Sequence, residues 1–171
     1  MDLFLKVNQD FLSQCTKPKI LVLNTGGTFA SHFANPALDE GVHFIKDSCF
    51  EVLKQHFEFQ CNDEGGKCLE NSAMRFWIFE LDPMLESEDM EMKDWCQLCT
   101  LIENAYRLFD GFVILHGTNT MDFTASALSF MIKVYKLQLF TKIDDFTNEL
   151  LCLSEPNKTN HFDWLNYPFI H

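Results

Sequence analysis

The chain is 171 residues long, which suits one domain, and its 47% of hydrophobic residues can build a sizeable core. A formal net charge of −12 argues against nucleic acid and against an anionic membrane surface, since both need clustered Lys and Arg. A small polar substrate fits this balance better.

Residues 1–18 predict a short amphipathic helix, with Leu3, Leu5, Phe11 and Leu12 on its apolar side and Pro18 ending it. Asp2, Lys6 and Asp10 interrupt the segment, so it has no signal-peptide core, and no run approaches the ~20 apolar residues of a membrane span. Together with seven irregularly spaced cysteines, this predicts a soluble, cytoplasmic protein with reduced thiols. Ile20–Leu23 reads as a buried strand, and residues 30–48 as loop. Phe50–Phe57 predicts a helix with Phe50, Leu53 and Phe57 on one face, followed by an exposed turn at Asn62–Lys67. Met74–Phe79 reads as an aromatic-rich strand. Residues 81–90 read as polar loop, with Pro83 excluding a continuing strand and Glu86, Glu88, Asp89 and Glu91 as solvated acids.

The clearest helix is residues 92–109, where Trp95, Leu98, Ile102, Ala105 and Phe109 recur at helical steps. Asp110-Gly111 makes a turn, Phe112–Leu115 a second buried strand, and Phe123–Leu137 a further helix. Leu139 and Phe140 can start another strand. Strands alternating with helices predict an α/β fold with a mostly parallel sheet.

Only seven glycines are present, and four lie at two places: Gly26 and Gly27, then Gly111 and Gly117. Thr25-Gly26-Gly27-Thr28 follows the first strand, at the end of a parallel sheet where ligands bind. Thr25 is placed to bond backbone, and Thr28, beyond the turn, to face a pocket. The plain alternative is a turn with a capping threonine. His116-Gly117-Thr118-Asn119-Thr120-Met121 repeats the design at another strand end, with Thr120 or Asp122 as helix cap and His116 as a hydrogen-bonded structural residue. Adjacent parallel strands would put Thr28 and Thr118 across one crevice. Cys96 and Cys99 lie within an amphipathic helix, which favours core packing over redox chemistry. Cys61, Cys68 and His56 match no common zinc spacing. The glycine pattern also lacks the phosphate-binding fingerprints of nucleotide sites.

The stretches "ILVLNTGGTFAS" and "DGFVILHGTNTMDFTASALSFMI" resemble the N-terminal half of bacterial-type L-asparaginases, of the cytosolic type I branch that includes animal asparaginase/lysophospholipase-like proteins. "PMLESEDMEMKDW" resembles the family loop and the helix start between them. The resemblance covers roughly residues 19–141, with 1–18 a helical segment before it and 142–171 a divergent tail. It implies hydrolysis of the side-chain amide of L-asparagine to aspartate and ammonia, with no metal or organic cofactor. Thr28 would be the nucleophile and Thr118 the second threonine of the reaction. Ser87 would hold the α-carboxylate, Gly27 and Gly117 would line the substrate, and Asn119 stands where the family has an aspartate for the α-amino group.

That last difference replaces a charged acceptor by a neutral one, a change worth on the order of 2–5 kcal/mol in a desolvated site. The family also carries a lysine and a smaller second domain, for which residues 142–171 show no counterpart. The resemblance therefore predicts a sheet incomplete at its C-terminal end and impaired turnover, with a non-catalytic interaction or regulatory fragment as the alternative. It also allows a homo-oligomer, or pairing with a full-length relative.

Overall fold

The computed structural model describes residues 9–27, 44, 46–61 and 66–132. In chain order the elements are α1 (Gln9–Gln14), β1 (Lys19–Gly26), α2 (Ser48–Lys54), β2 (Phe59–Gln60), β3 (Lys67–Glu70) and β4 (Arg75–Leu85). A 3-10 turn (Ser87–Asp89), α3 (Met92–Ala105), β5 (Gly111–Leu115) and α4 (Met121–Met131) follow. The strands form one sheet in the order β2-β3-β4-β1-β5. β1 lies at its parallel centre, between β4 and β5. β2 and β3 extend the β4 side in antiparallel fashion. The expected α/β class is found, with an antiparallel hairpin added.

The central position explains why β1 is apolar without alternation: both of its faces are covered. Leu21 and Leu23 share one face with Trp77, Phe112 and Ile114, under Leu12 of α1, Leu98 and Ile102 of α3, and Leu128 of α4. Ile20 and Val22 point the other way, to Phe76, Ile78, Leu69 and Cys49 of α2. Trp77 is 1% exposed and meets Phe109 edge-on at 5.6 Å. These large rings anchor β4 to β5 through the layer above β1. No helix among the described residues is long and apolar enough to cross a membrane.

Several expected boundaries move. The helix expected over 1–18 occupies Gln9–Gln14 within the described residues and stops four residues before Pro18. The segment after it is tied to the sheet instead: Lys17 Nζ donates to Glu70 Oε1 at 2.5 Å and to the Asn71 carbonyl at 2.8 Å, and Arg75 N–H donates to the Pro18 carbonyl. The helix expected at Phe50–Phe57 starts and ends earlier, at Ser48–Lys54. β3 and β2 flank the turn expected at 62–67, of which 62–65 lie outside the described residues. Both strands are too short to show a period.

The largest correction concerns Pro83, since β4 runs on through it to Leu85. β1 and β4 pair regularly from Lys19↔Arg75 to Asn24↔Glu80, then the register breaks and resumes at Gly26↔Leu85. Pro83 sits inside that break, where its missing N–H removes no ladder bond to β1. The helix expected over 92–109 is regular to Ala105 and then tightens, with Leu108 N–H donating three residues back to the Ala105 carbonyl. α4 starts at Met121, two residues before the expected Phe123. It ends at Met131, short of the expected Leu137, because Ile132 is already extended, with φ −92° and ψ 110°. The strand expected at Leu139 and Phe140 lies outside the described residues.

Candidate functional site

The parallel centre of the sheet brings the C-terminal ends of β1 and β5 side by side, and the end of β4 delivers the Ser87 turn to the same place. Buried Asn24 shapes the last turn of β1: its Oδ1 accepts the Gly26 N–H at 3.2 Å, and its Nδ2 donates to Glu80 Oε1 at 3.4 Å. The Thr25 hydroxyl donates to the Leu115 carbonyl at 2.9 Å and so bonds backbone, tying β1 to the end of β5. Gly26 and Gly27 take φ of 119° and 80°, a region that L side chains rarely adopt. Gly27 N–H donates to the Leu85 carbonyl at 3.0 Å.

Close approach adds a second reason for glycine. A Cβ on Gly27 would lie 2.6 Å from the Gly117 Cα and N. A Cβ on Gly117 would lie 2.8 Å from the Ser87 Cβ and Oγ, and 3.3 Å from the Gly27 Cα. Three of the residues singled out in the sequence, Gly27, Gly117 and Ser87, thus meet with no side-chain volume between the two glycines. Ser87 is 3% exposed, and its hydroxyl has no hydrogen-bond partner among the described residues. An unsatisfied buried hydroxyl costs about 1–3 kcal/mol, which a ligand that bonds it recovers.

The β5–α4 turn carries the rest. Thr118 and Asn119 are exposed. The Thr118 carbonyl accepts the Met121 N–H at 3.5 Å. Asn119 Nδ2 donates to Glu88 Oε1 at 2.8 Å. Thr120, one of the two expected caps, occupies the N-cap position of α4, but its side chain makes no cap bond. Its hydroxyl donates instead to the Ser87 carbonyl at 2.5 Å, which fastens the Ser87 turn to the start of α4. The acidic loop is therefore only partly solvated: Glu88 and Asp89 are exposed, Glu86 is half-buried and Ser87 is buried. Burial pushes the Glu86 carboxyl above its usual range, and the charges of Glu88 and Asp89 push it further. Glu91 caps α3 with Asp94, whose Oδ2 accepts the Glu91 N–H at 2.8 Å.

Behind the turn, His116 is 4% exposed and engaged on both nitrogens. Nδ1 lies 2.6 Å from the Gly117 carbonyl, which can only accept, so Nδ1 carries the proton. Nε2 is then an acceptor for the Thr124 hydroxyl at 2.9 Å, and Thr124 Oγ1 accepts the Trp95 indole N–H at 3.0 Å. The bonds run in one direction: Trp95, Thr124, His116, Gly117. Met90 Sδ lies 2.8 Å from Nε2. Burial lowers the imidazole pKa, against a smaller opposing effect of the Gly117 bond, so the ring is held neutral. His116 is thus structural, as the sequence suggests. The bonds of Trp95 and Thr124 in this series are not legible in the sequence, where Trp95 reads as one more apolar residue of its helix and Thr124 as ordinary helix interior.

Thr28 lies outside the described residues. Cys96 and Cys99 sit inside α3, where burial pushes the Cys99 thiol up to about 11. Among the described residues, no three of His, Cys, Asp or Glu gather to hold a metal ion.

Comparison with known proteins identifies the family and the fold. An L-asparaginase of Dirofilaria immitis is 36% identical over 131 residues, which is 70% of this chain and 22% of that protein. L-asparaginase 1 of Escherichia coli K12 is 52% identical over 58 residues, 34% of this chain and 17% of that one. The crystal structure of L-asparaginase I from Vibrio cholerae superposes with a TM-score of 0.54 at 30% identity, covering 73% of this chain and 33% of that chain. The chain thus spans about a fifth of the length of these two relatives and a third of that structure. The model of the asparaginase N-terminal domain matches residues 19–138, and the chain belongs to the asparaginase family.

Proposed function

We propose that the protein is an L-asparaginase-type amidohydrolase that converts the side-chain amide of L-asparagine to aspartate and ammonia. The observation that carries this reading is the meeting of Gly27, Gly117 and Ser87, which joins three strand ends at one point. Thr28 follows Gly27 directly, and Thr118 follows Gly117. In the proposed reaction the Thr28 hydroxyl oxygen attacks the amide carbon, its proton leaves with the ammonia, and water then cleaves the resulting ester to release the carboxylate. Thr118 assists that attack. Ser87 supplies a hydrogen bond to the substrate carboxylate, and Gly27 and Gly117 let the backbone approach the substrate.

His116 is an unsuitable base here. It is buried, and its free lone pair is already taken by the Thr124 hydroxyl. Its part is to hold the Gly117 carbonyl, which fixes the peptide that leads into Thr118.

Ammonia release from L-asparagine by the purified chain tests the reading, alongside Thr28→Ala and Thr118→Ala. The expected result is slow, asparagine-dependent release, impaired as the neutral Asn119 implies, that Thr28→Ala abolishes. Release unchanged in Thr28→Ala contradicts the assignment of the nucleophile. Binding of asparagine with no release favours the alternative of a non-catalytic family member.

A further inference from the structure

β2 ends one residue before Cys61, but its pairing with β3 does not. Phe59 faces Glu70 and Gln60 faces Leu69. The same register puts Cys61 opposite Cys68, and the Cys61 N–H donates to the Cys68 carbonyl at 3.1 Å. Residues directly opposite in an antiparallel pair turn their side chains to the same face. The two thiols therefore meet across the hairpin, within reach of a hydrogen bond to each other. We propose that Cys61 and Cys68 form a site of reversible oxidation, which a low-molecular-weight disulfide such as oxidised glutathione converts into a cross-strand disulfide. The site lies on the far side of β4 from β1 and stands apart from the amidohydrolase reading.

The spacing allows the bond. Opposed Cα atoms at a hydrogen-bonded position are about 5.5 Å apart, within the roughly 4.4–6.8 Å that a disulfide spans. Their Cβ atoms stand about 4.5–5.5 Å apart, at or beyond the roughly 3.5–4.5 Å of a relaxed disulfide. The bond thus closes with a small movement of the hairpin and under strain, which makes it easy to reduce again. Exposure divides the roles: Cys61 is half-buried, whereas Cys68 is 1% exposed. The Cys61 thiolate attacks one sulfur of the external disulfide, forming a mixed disulfide and releasing one external thiol. The Cys68 thiolate then attacks the Cys61 sulfur and expels the second. Two protein thiols lose two electrons and two protons, and the external disulfide takes them up as two thiols. Burial pushes the Cys61 thiol up, and its Sγ donates to Glu70 Oε2 at 3.6 Å, so the resting pair is protonated. Cys15 packs against the same core as Cys61, but its Sγ donates to the Lys17 carbonyl at 3.3 Å, which turns it to its own segment.

The sequence makes the test direct. Trypsin cuts after Lys54, Lys67 and Arg75, so Cys61 and Cys68 fall on separate peptides, 55–67 and 68–75, which only a disulfide keeps together. The purified chain is incubated with excess oxidised glutathione in mildly alkaline buffer, its folded state followed by circular dichroism. Free thiols are then alkylated, and the digest is mapped by mass spectrometry. Peptides 55–67 and 68–75 should stay joined in more than half of the molecules, and dithiothreitol should separate them. Cys15→Ser should leave the joined fraction unchanged. Linkage of Cys61 to Cys15, glutathione retained on Cys61 without the second step, or free thiols at both positions overturns the proposal, as does a joined fraction that falls in Cys15→Ser.

Discussion

Gly27 and Gly117 come from strand ends ninety positions apart in sequence, yet the Cα of one lies 3.3 Å from where a side chain on the other would begin. Gly27 also holds a φ of 80°. Two penalties therefore fall on one substitution. Gly27→Ala must strain the backbone and push the Gly117 turn away, which should cost about 1–3 kcal/mol. Urea unfolding measures it, and a midpoint equal to that of the parent contradicts the close approach. The glycines were legible as turns in the sequence because so few are present. Their contact was not legible, since it depends on β1 and β5 being neighbours. Asn119 shows the opposite case: its identity was plain, but its partner Glu88 sits 31 residues away in a run of acids that looks solvated.

Elements explain what survives of such a reading and what does not. β1 is legible because a strand buried on both faces has to be apolar throughout, β5 because buried Phe112 and Ile114 alternate with half-buried Val113 and Leu115, and α3 because its buried side recurs at helical spacing. β4 was cut short by the rule that proline ends a strand, which fails at Pro83 because the pairing to β1 is already broken there. β2 and β3, with two and four residues, carry no period to read. The link between α3, α4 and β5 escapes the sequence as well. It consists of single bonds from Trp95 to Thr124 to His116 to Gly117.

That link makes a prediction for pH. Burial lowers the His116 pKa, so the folded state binds fewer protons than the unfolded chain, whose imidazole has an ordinary value of about 6.5. Its contribution to stability should be complete above that value and decline as pH falls through it. Urea unfolding between pH 8 and 5 should show this decline, and His116→Gln should show less of it. An imidazole that titrates near 6.5 in the folded protein, followed by NMR, contradicts the neutral assignment.

At the scale of the whole molecule, the sheet does one thing for function: it gathers three turns at one edge of its parallel centre. The opposite end of the sheet is secured separately. There Glu70 is buried, which pushes its carboxyl up, but hydrogen bonds from Lys17 and Arg75 outweigh this and hold it ionised. Lys17 and Arg75 also tie the segment after α1 to β3 and β4, so the framework is fixed at one end and free to present the Ser87, Gly117 and Gly27 turns at the other. A net charge of −12 gives no general attraction for a substrate carboxylate, so in the proposed reading that attraction falls to local groups such as the Ser87 hydroxyl.

The central claim is that these turns form a single amino-acid site. Backbone-amide NMR during titration with L-aspartate tests it most directly. The account predicts that the signals of Gly27, Ser87, Gly117 and Asn119 shift together along one binding curve. Binding of aspartate that leaves those four signals in place would contradict it.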